Sequence, residues 1–219
     1  MVDGIRVGGH LVVVALGIDD AGTKRILGLA EGATENSAVV KSLLTDLMER
    51  GFTIPEGHGL LAVIDGAKAL AKAVREVFGD RVHIQRCQIH KTRNVLDHLP
   101  ESMQATVRSR LRKAYQEADA TKAFKALQKL AEELERDYPQ AANSLREGLD
   151  ETLTVHRFAL SGTLRRVSWP TVGEWSSVSP ECTDRGEVAT YTGTLTGTVT
   201  LDSGATCTII PTSTKATTA

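Results

Sequence analysis

Leu60-Leu61-Ala62-Val63-Ile64-Asp65-Gly66-Ala67-Lys68-Ala69-Leu70 is the stretch on which the reading of this chain turns. Leu60 to Ile64 is a short unbroken apolar run, the pattern of a strand buried on both faces. It stops at an acid followed by glycine and a helical pattern, which puts Asp65 at the carboxyl end of a strand. In open α/β sheets that edge gathers ligands and metals, because the strand fixes the backbone while the side chain faces outward. A second reading also fits, in which Asp65 caps the following helix, since Asp is a favoured N-cap residue.

Elements on either side of this stretch can be read from periodicity. Ile5 and Val7, Leu11 to Leu16, and Ile26 to Leu29 are β-compatible runs. Gly8-Gly9 and Asp19-Asp20-Ala21-Gly22-Thr23 separate them as turn sequences, so the simplest reading is a three-stranded antiparallel meander. From Asn36 to Arg50 the period becomes helical, with Leu43, Leu44 and Leu47 on one face, Asn36 as N-cap and Gly51 past the end. A second helix is expected over about Ala67 to Phe78, stopped by Gly79, and a further strand over Arg81 to Gln85. Three antiparallel strands, helix, strand, helix, strand is the element order of the ribonuclease H-like fold. In that fold the first and fourth strands are neighbours, so Asp3 is expected near Asp65.

Beyond Gln85 the chain reads as helices. Val107, Leu111 and Tyr115 make one apolar stripe, and Phe124, Leu127, Leu130, Leu134 and Tyr138 a second. Leu145, Leu149 and Leu153 make a third, opened by Pro139. Three such helices need one another, or the sheet, to bury their faces. After about Arg166 the sequence becomes Thr-, Ser- and Gly-rich, which reads as a loosely ordered tail with at most a weak hairpin around Leu195, Val199 and Leu201. The expected division is a core over residues 1–98, a helical insertion over 99–166 and an aberrant tail over 167–219.

Composition narrows the function classes. With 219 residues, 41% hydrophobic and 24% charged, the chain has the make-up of an ordinary soluble protein. A formal net charge of −1 excludes a uniformly basic surface but not local patches. The three scattered cysteines, Cys87, Cys182 and Cys207, argue against a disulfide framework. With no signal-peptide pattern and no run of membrane-spanning length, a cytoplasmic location is expected.

Two carboxylates converging at one end of a sheet are what Mg²⁺ needs, since it prefers hard oxygen ligands and takes one or two protein carboxylates. Metal ions so held activate the attacking oxygen and stabilise the leaving one in phosphodiester chemistry. The pair Cys87 and His90 offers too few ligands for structural zinc. A buried thiol and a hydrogen-bonded imidazole on one helix face explain that pair equally well. Around it, Arg86, Lys91, Arg93, Arg108, Arg110, Arg112 and Lys113 are opposed only by Asp97 and Glu101. Such a run is either a solvated helix face or a surface for DNA phosphates.

In combination, Asp3-Gly4-Ile5-Arg6-Val7, Gly32-Ala33-Thr34-Glu35-Asn36, Val63-Ile64-Asp65-Gly66-Ala67-Lys68 and Gln85-Arg86-Cys87-Gln88-Ile89-His90-Lys91-Thr92-Arg93-Asn94 resemble the Mutator-type transposases of bacterial insertion sequences. The likeness continues through Ser144 to Leu153 and on to Arg166. It implies a ribonuclease H-like catalytic domain with an Asp-Asp-Glu site that uses Mg²⁺ or Mn²⁺. Asp3 and Asp65 match the first two acids and would hold the metal, and Cys87 and His90 match a C-x-x-H motif. Arg86, Cys87, His90, Lys91, Arg93 and Asn94 become the candidate DNA-binding residues. The implied activity is cleavage of insertion-sequence ends and their transfer to target DNA.

The chain departs from the family in two places. Only Met1 and Val2 precede the first acid, where the family carries a long DNA-recognition region. Near the third acid only Glu174 falls close to the expected position, without its flanking motif, as an out-of-frame continuation after about residue 166 would produce. The expectation is therefore a transposase fragment, truncated at its amino terminus and inactive alone. Expected partners are terminal inverted repeats, target DNA, and a second copy of the chain or the intact transposase, with no membrane. The alternative is a non-catalytic fragment that binds DNA or the intact transposase and regulates it.

Overall fold

A computed structural model describes residues 1–7, 10–18, 24–34, 36–158, 181–182, 197–200 and 206–209. The fold is mixed α/β. Its principal sheet has five strands, the first three antiparallel and the last two parallel. The chain divides into two compact units: one holds the first three strands, the first two helices and three short strands near the carboxyl terminus, the other the fourth and fifth strands and the remaining helices.

In the first unit, β1 (Val2–Val7), β2 (His10–Ile18) and β3 (Lys24–Glu31) form the expected meander. Val2 faces Ala15 and Val7 faces His10 across the first pair. β2 is central, and Val12 to Leu16 are all buried, the unbroken apolar run that two covered faces require. Helix α1 (Ser37–Glu49) is capped by Asn36, whose side chain accepts from the backbone N–H of Ala38 and Val39. The helix buries Val40, Leu43, Leu44 and Leu47. It can lie close to β3 because Gly28 has no side chain: a Cβ there would stand 2.9 Å from Leu43. Helix α2 (Lys68–Phe78) buries Leu70, Val74 and Phe78 and ends at Gly79 with φ of 62°. Lys41 and Glu76 join α1 to α2 at 3.1 Å.

In the second unit, β4 (Leu60–Ile64) runs parallel to β5 (Val82–Arg86), with Ile64 opposite Arg86. Helices α3 (Gln88–Leu96), α4 (Glu101–Gln116), α5 (Ala120–Glu135) and α6 (Pro139–Arg146) follow. Their apolar stripes meet in one core that includes Val95, Val107, Leu111, Leu127, Leu130 and Leu145. Pro139 stands in the first turn of α6, where its missing N–H costs nothing.

The third stripe differs from its expectation. It is not one helix: α6 stops at Arg146, Gly148 turns the chain with φ of 61°, and a 3-10 turn over Asp150–Leu153 leads into α7 (Thr154–Arg157). Leu145, Leu149 and Leu153 are still all buried, so the apolar spacing marks a core-facing chain on both sides of the break. Within the tail, β6 (Glu181–Cys182), β8 (Thr206–Ile209) and β7 (Gly197–Thr200) form a small antiparallel sheet in that order. Val199 of the weak hairpin reading lies in β7. Leu195 and Leu201 lie outside the described residues.

Candidate functional site

Asp3 lies on β1 opposite Val14 and is half-buried. Its Oδ1 accepts from the N–H of Gly4 at 2.9 Å. Gly4 is small where Thr34 packs over the strand: a Cβ there would come within 3.2 Å of the Thr34 methyl. Gly32, with φ of 139°, leaves space for Val39 at the start of α1. Thr34 of the Gly32-Ala33-Thr34 motif thus packs over Gly4, the residue that follows Asp3 on β1.

Asp65 directly follows β4 and is also half-buried. It is not the helix N-cap: that position belongs to Ala67, which makes no side-chain cap bond. Gly66, with φ of 107°, turns the chain away from the strand, and its missing Cβ would lie 3.4 Å from Arg86. The turn is tied to the next strand by the Cys87 N–H, which donates to the Ile64 carbonyl at 2.7 Å.

Beside this strand end the structure builds a buried polar clamp. Arg86 donates from Nε to Glu151 Oε2 at 2.7 Å, and its Nη1 lies 3.8 Å from Glu147 Oε1. Gly148 flanks the guanidinium so closely that a Cβ would sit 2.5 Å from Arg86 Cζ. Gln85, fully buried, donates to the Thr152 carbonyl at 2.8 Å and accepts from the Val155 N–H at 2.9 Å. Gln88 donates to the same Thr152 carbonyl at 2.8 Å, and Thr154 Oγ1 donates to the Ile84 carbonyl at 2.6 Å. Lys91 reaches the end of α6, donating to the carbonyls of Ser144 at 2.6 Å and Glu147 at 2.7 Å. A cation at a helix carboxyl terminus satisfies carbonyls that have no partner within the helix. Burial pulls the Lys91 ammonium down to about 8, and the nearby Arg86 charge adds to the shift, while Glu147 and Glu151 oppose it.

A family model, Transposase, Mutator family, matches residues 2–171 of this chain. The chain belongs to the Mutator family of transposases. Over 147 residues it is 33% identical to a transposase for insertion sequence element IS6120 of Mycolicibacterium smegmatis, covering 67% of this chain and 44% of that protein. Against a transposase for insertion sequence element IST2 of Acidithiobacillus ferrooxidans, identity is 31% over 147 residues, covering 67% and 48%. A probable transposase for an insertion sequence element of Corynebacterium diphtheriae is 30% identical over 170 residues, covering 77% and 48%. The chain spans less than half the length of these three relatives.

In this Mutator-family chain the basic residues around the C-x-x-H motif divide by burial. Arg86 and Lys91 are buried and bonded to residues 144–151, and Cys87 is a buried free thiol at the N-cap of α3. His90 is half-buried on α3, while Arg93 and Asn94 are exposed. The segment that the basic residues hold, Ser144 to Val155, carries the residues that reading the sequence did not assign: Glu147, Gly148, Glu151 and Thr152. The Gly inside a helical stripe was the signal available for them.

Glu174 lies outside the described residues. Asp3 and Asp65 each offer the hard carboxylate oxygen that Mg²⁺ or Mn²⁺ prefers, so the donor chemistry fits such an ion. Among the described residues, no three or more His, Cys, Asp or Glu side chains are grouped to hold a metal. Nor is any described helix long and apolar enough to cross a membrane.

Proposed function

We propose that this chain is the ribonuclease H-like catalytic portion of an insertion-sequence transposase, acting in the cytoplasm on DNA. In this reading Asp3 and Asp65 hold Mg²⁺ or Mn²⁺, with Glu174 as a weak candidate for the third acid. What carries it is the position of Asp65, a half-buried carboxylate directly past the end of a parallel strand and outside the N-cap of the next helix. The Cys87–Ile64 backbone bond fixes the strand end from which that carboxylate projects.

When bound, the ion supplies charge for activating the attacking oxygen and stabilising the leaving one in strand cleavage and transfer. The chain's own residues orient and hold. Asp3 and Asp65 present oxygen ligands, while Arg93 and Asn94, exposed on α3, are placed to meet DNA phosphates. Arg86 and Lys91 act at one remove, by fixing the Ser144–Val155 segment against β5 and α3. With the third acid supplied only weakly, the chain is inactive or nearly so by itself.

The test is cleavage and strand transfer on a labelled terminal-repeat duplex with Mg²⁺ or Mn²⁺, comparing the chain with Asp65→Ala. Product formed by the chain and lost in the variant makes the site complete. If cleavage persists in Asp65→Ala, the assignment of Asp65 fails. If neither acts but both bind the duplex, the chain is inactive alone, and the alternative regulatory reading, a DNA- or transposase-binding fragment, takes precedence if Mn²⁺ also fails to stabilise the wild-type chain over Asp65→Ala.

A further inference from the structure

Helices α4 and α5 enclose a groove whose lining the proposed chemistry does not use. Arg110 and Lys113 on α4 face Lys122 and Lys129 on α5, with Glu117 the one acid in the lining and Ala126 forming part of a shallow floor. On α4 the lining residues are 110, 113 and 114, with Glu117 just past the helix end, and on α5 they are 122, 126 and 129. Both are single-face spacings of a helix, so the charges form two parallel rows.

The acids nearby are occupied. Glu133 is paired with Arg110, whose hydrogen bond holds its carboxyl below the usual range. The Glu117 carboxylate accepts from the backbone N–H of Ala118 at 2.9 Å. Asp119 caps α5, accepting from the N–H of Thr121 and Lys122. Lys129 adds its field at Glu133 and Lys122 at Asp119, while Lys113, Lys122 and Lys129 themselves are exposed and line a common depression.

From this we infer that the α4–α5 groove docks the phosphate backbone of duplex DNA, without reading sequence. The inference rests on the proposed DNA-directed function and adds a contact surface to it. The groove's chemistry selects the ligand. It contains no aromatic side chain on which a base can stack and no large apolar side chain to anchor a peptide. Its lysines are point charges, which position a polyanion without specifying bases. From Lys122 to Lys129 the helix rises roughly 10 Å, the axial length of about three nucleotides of one strand. Arg110 is the least available cation, because Glu133 already holds it.

The test uses the full 219-residue chain, with fluorescence anisotropy on short labelled duplexes of unrelated sequence over a salt series. Replacing two phosphate-contacting lysines should lower the slope of log affinity against log salt by about 2. Lys122→Gln/Lys129→Gln should do this and weaken binding to all the duplexes alike. A control with the same charge change elsewhere, Lys41→Gln/Lys72→Gln, should keep the wild-type slope. All four lysines are exposed, so circular dichroism should match wild type in both variants.

If the groove variant keeps the control's slope while wild type binds, the groove inference is overturned and the proposed function stands. If wild type binds no duplex at all, both fall. If polyglutamate of matched charge displaces DNA as well as unlabelled duplex does, the groove is a general anion surface and the assignment to DNA is overturned.

Discussion

Arg86 and Glu151 meet at 2.7 Å although 65 residues separate them in sequence. Their side chains are 10% and 24% exposed, so most of the pair's hydration is lost on folding. What the pair supplies is placement: it holds the chain after α6 against the end of β5. Removing one member leaves a charge buried without its partner, which costs about 3–5 kcal/mol for a fully dry pair. Because Glu151 keeps some water, Arg86→Met should cost less, about 2–3 kcal/mol. Glu151→Gln keeps an acceptor for Arg86 and should cost about 1 kcal/mol. Urea denaturation of the two variants checks the order, and equal losses would argue that a neutral acceptor at 151 rescues nothing and that the pair acts through its charge.

Gly148 should be intolerant of any side chain. Its φ of 61° already disfavours alanine, and the added Cβ would fall 2.5 Å from Arg86 Cζ. Gly51 supplies the comparison: its φ is 98°, but nothing lies within 4 Å of a Cβ there. Gly51→Ala should cost about 1 kcal/mol for backbone strain alone. Gly148→Ala adds overpacking of about 1–3 kcal/mol. Thermal melts of the two variants measure the gap. If they melt together, the close approach of Arg86 to Gly148 is wrong.

The sheet and most helices were legible because their signals are local. Asn36, Pro139 and Gly79 act within a turn of where they stand, and the apolar run at Leu60 sets β4 unaided. Gly148 shows the boundary of that approach. It lies within a helical stripe and stops the helix by its positive φ, but only the guanidinium placed against it by the fold shows why no side chain fits there. Arg86 and Lys91 show it again. A run of basic residues reads as a surface, and what buries these two is a segment more than 50 residues away. Charge in a sequence carries no sign of its partner. Asp65 is a third case: Asp before a helix suits capping, and only the start of α2 at Lys68 rules that position out.

Lys91 should make stability depend on pH in the alkaline range. Burial lowers its value from 10.5 to about 8 in the folded protein. Between those two values the unfolded chain holds a proton that the native protein has lost, so stability rises as pH increases through the window. Below about 8 the native protein carries the buried charge in full, and the lysine contributes no slope. Lys91→Met removes this rise. It also leaves the Ser144 and Glu147 carbonyls without that donor, for a loss of about 1–3 kcal/mol at neutral pH. The stability difference between wild type and Lys91→Met should therefore widen from pH 8 to pH 10. A constant difference across that range would mean that Lys91 titrates as an ordinary exposed lysine.

The proposed binding of metal by Asp3 and Asp65 has a readout independent of catalysis. An ion that binds only the native state stabilises it by mass action. For a dissociation constant of about 1 mM and about 10 mM metal, the gain is about 1.4 kcal/mol. Mn²⁺ should raise the thermal midpoint of the wild-type chain, and Ca²⁺, a hard cation with the same taste for oxygen, should do so as well. Asp3→Asn and Asp65→Asn should each remove most of that rise, since each variant loses a charged ligand and keeps only a weak amide oxygen. EDTA should return the wild type to its metal-free midpoint. If one variant loses the response and the other keeps it, the two carboxylates do not share an ion, and only the responding residue is a ligand.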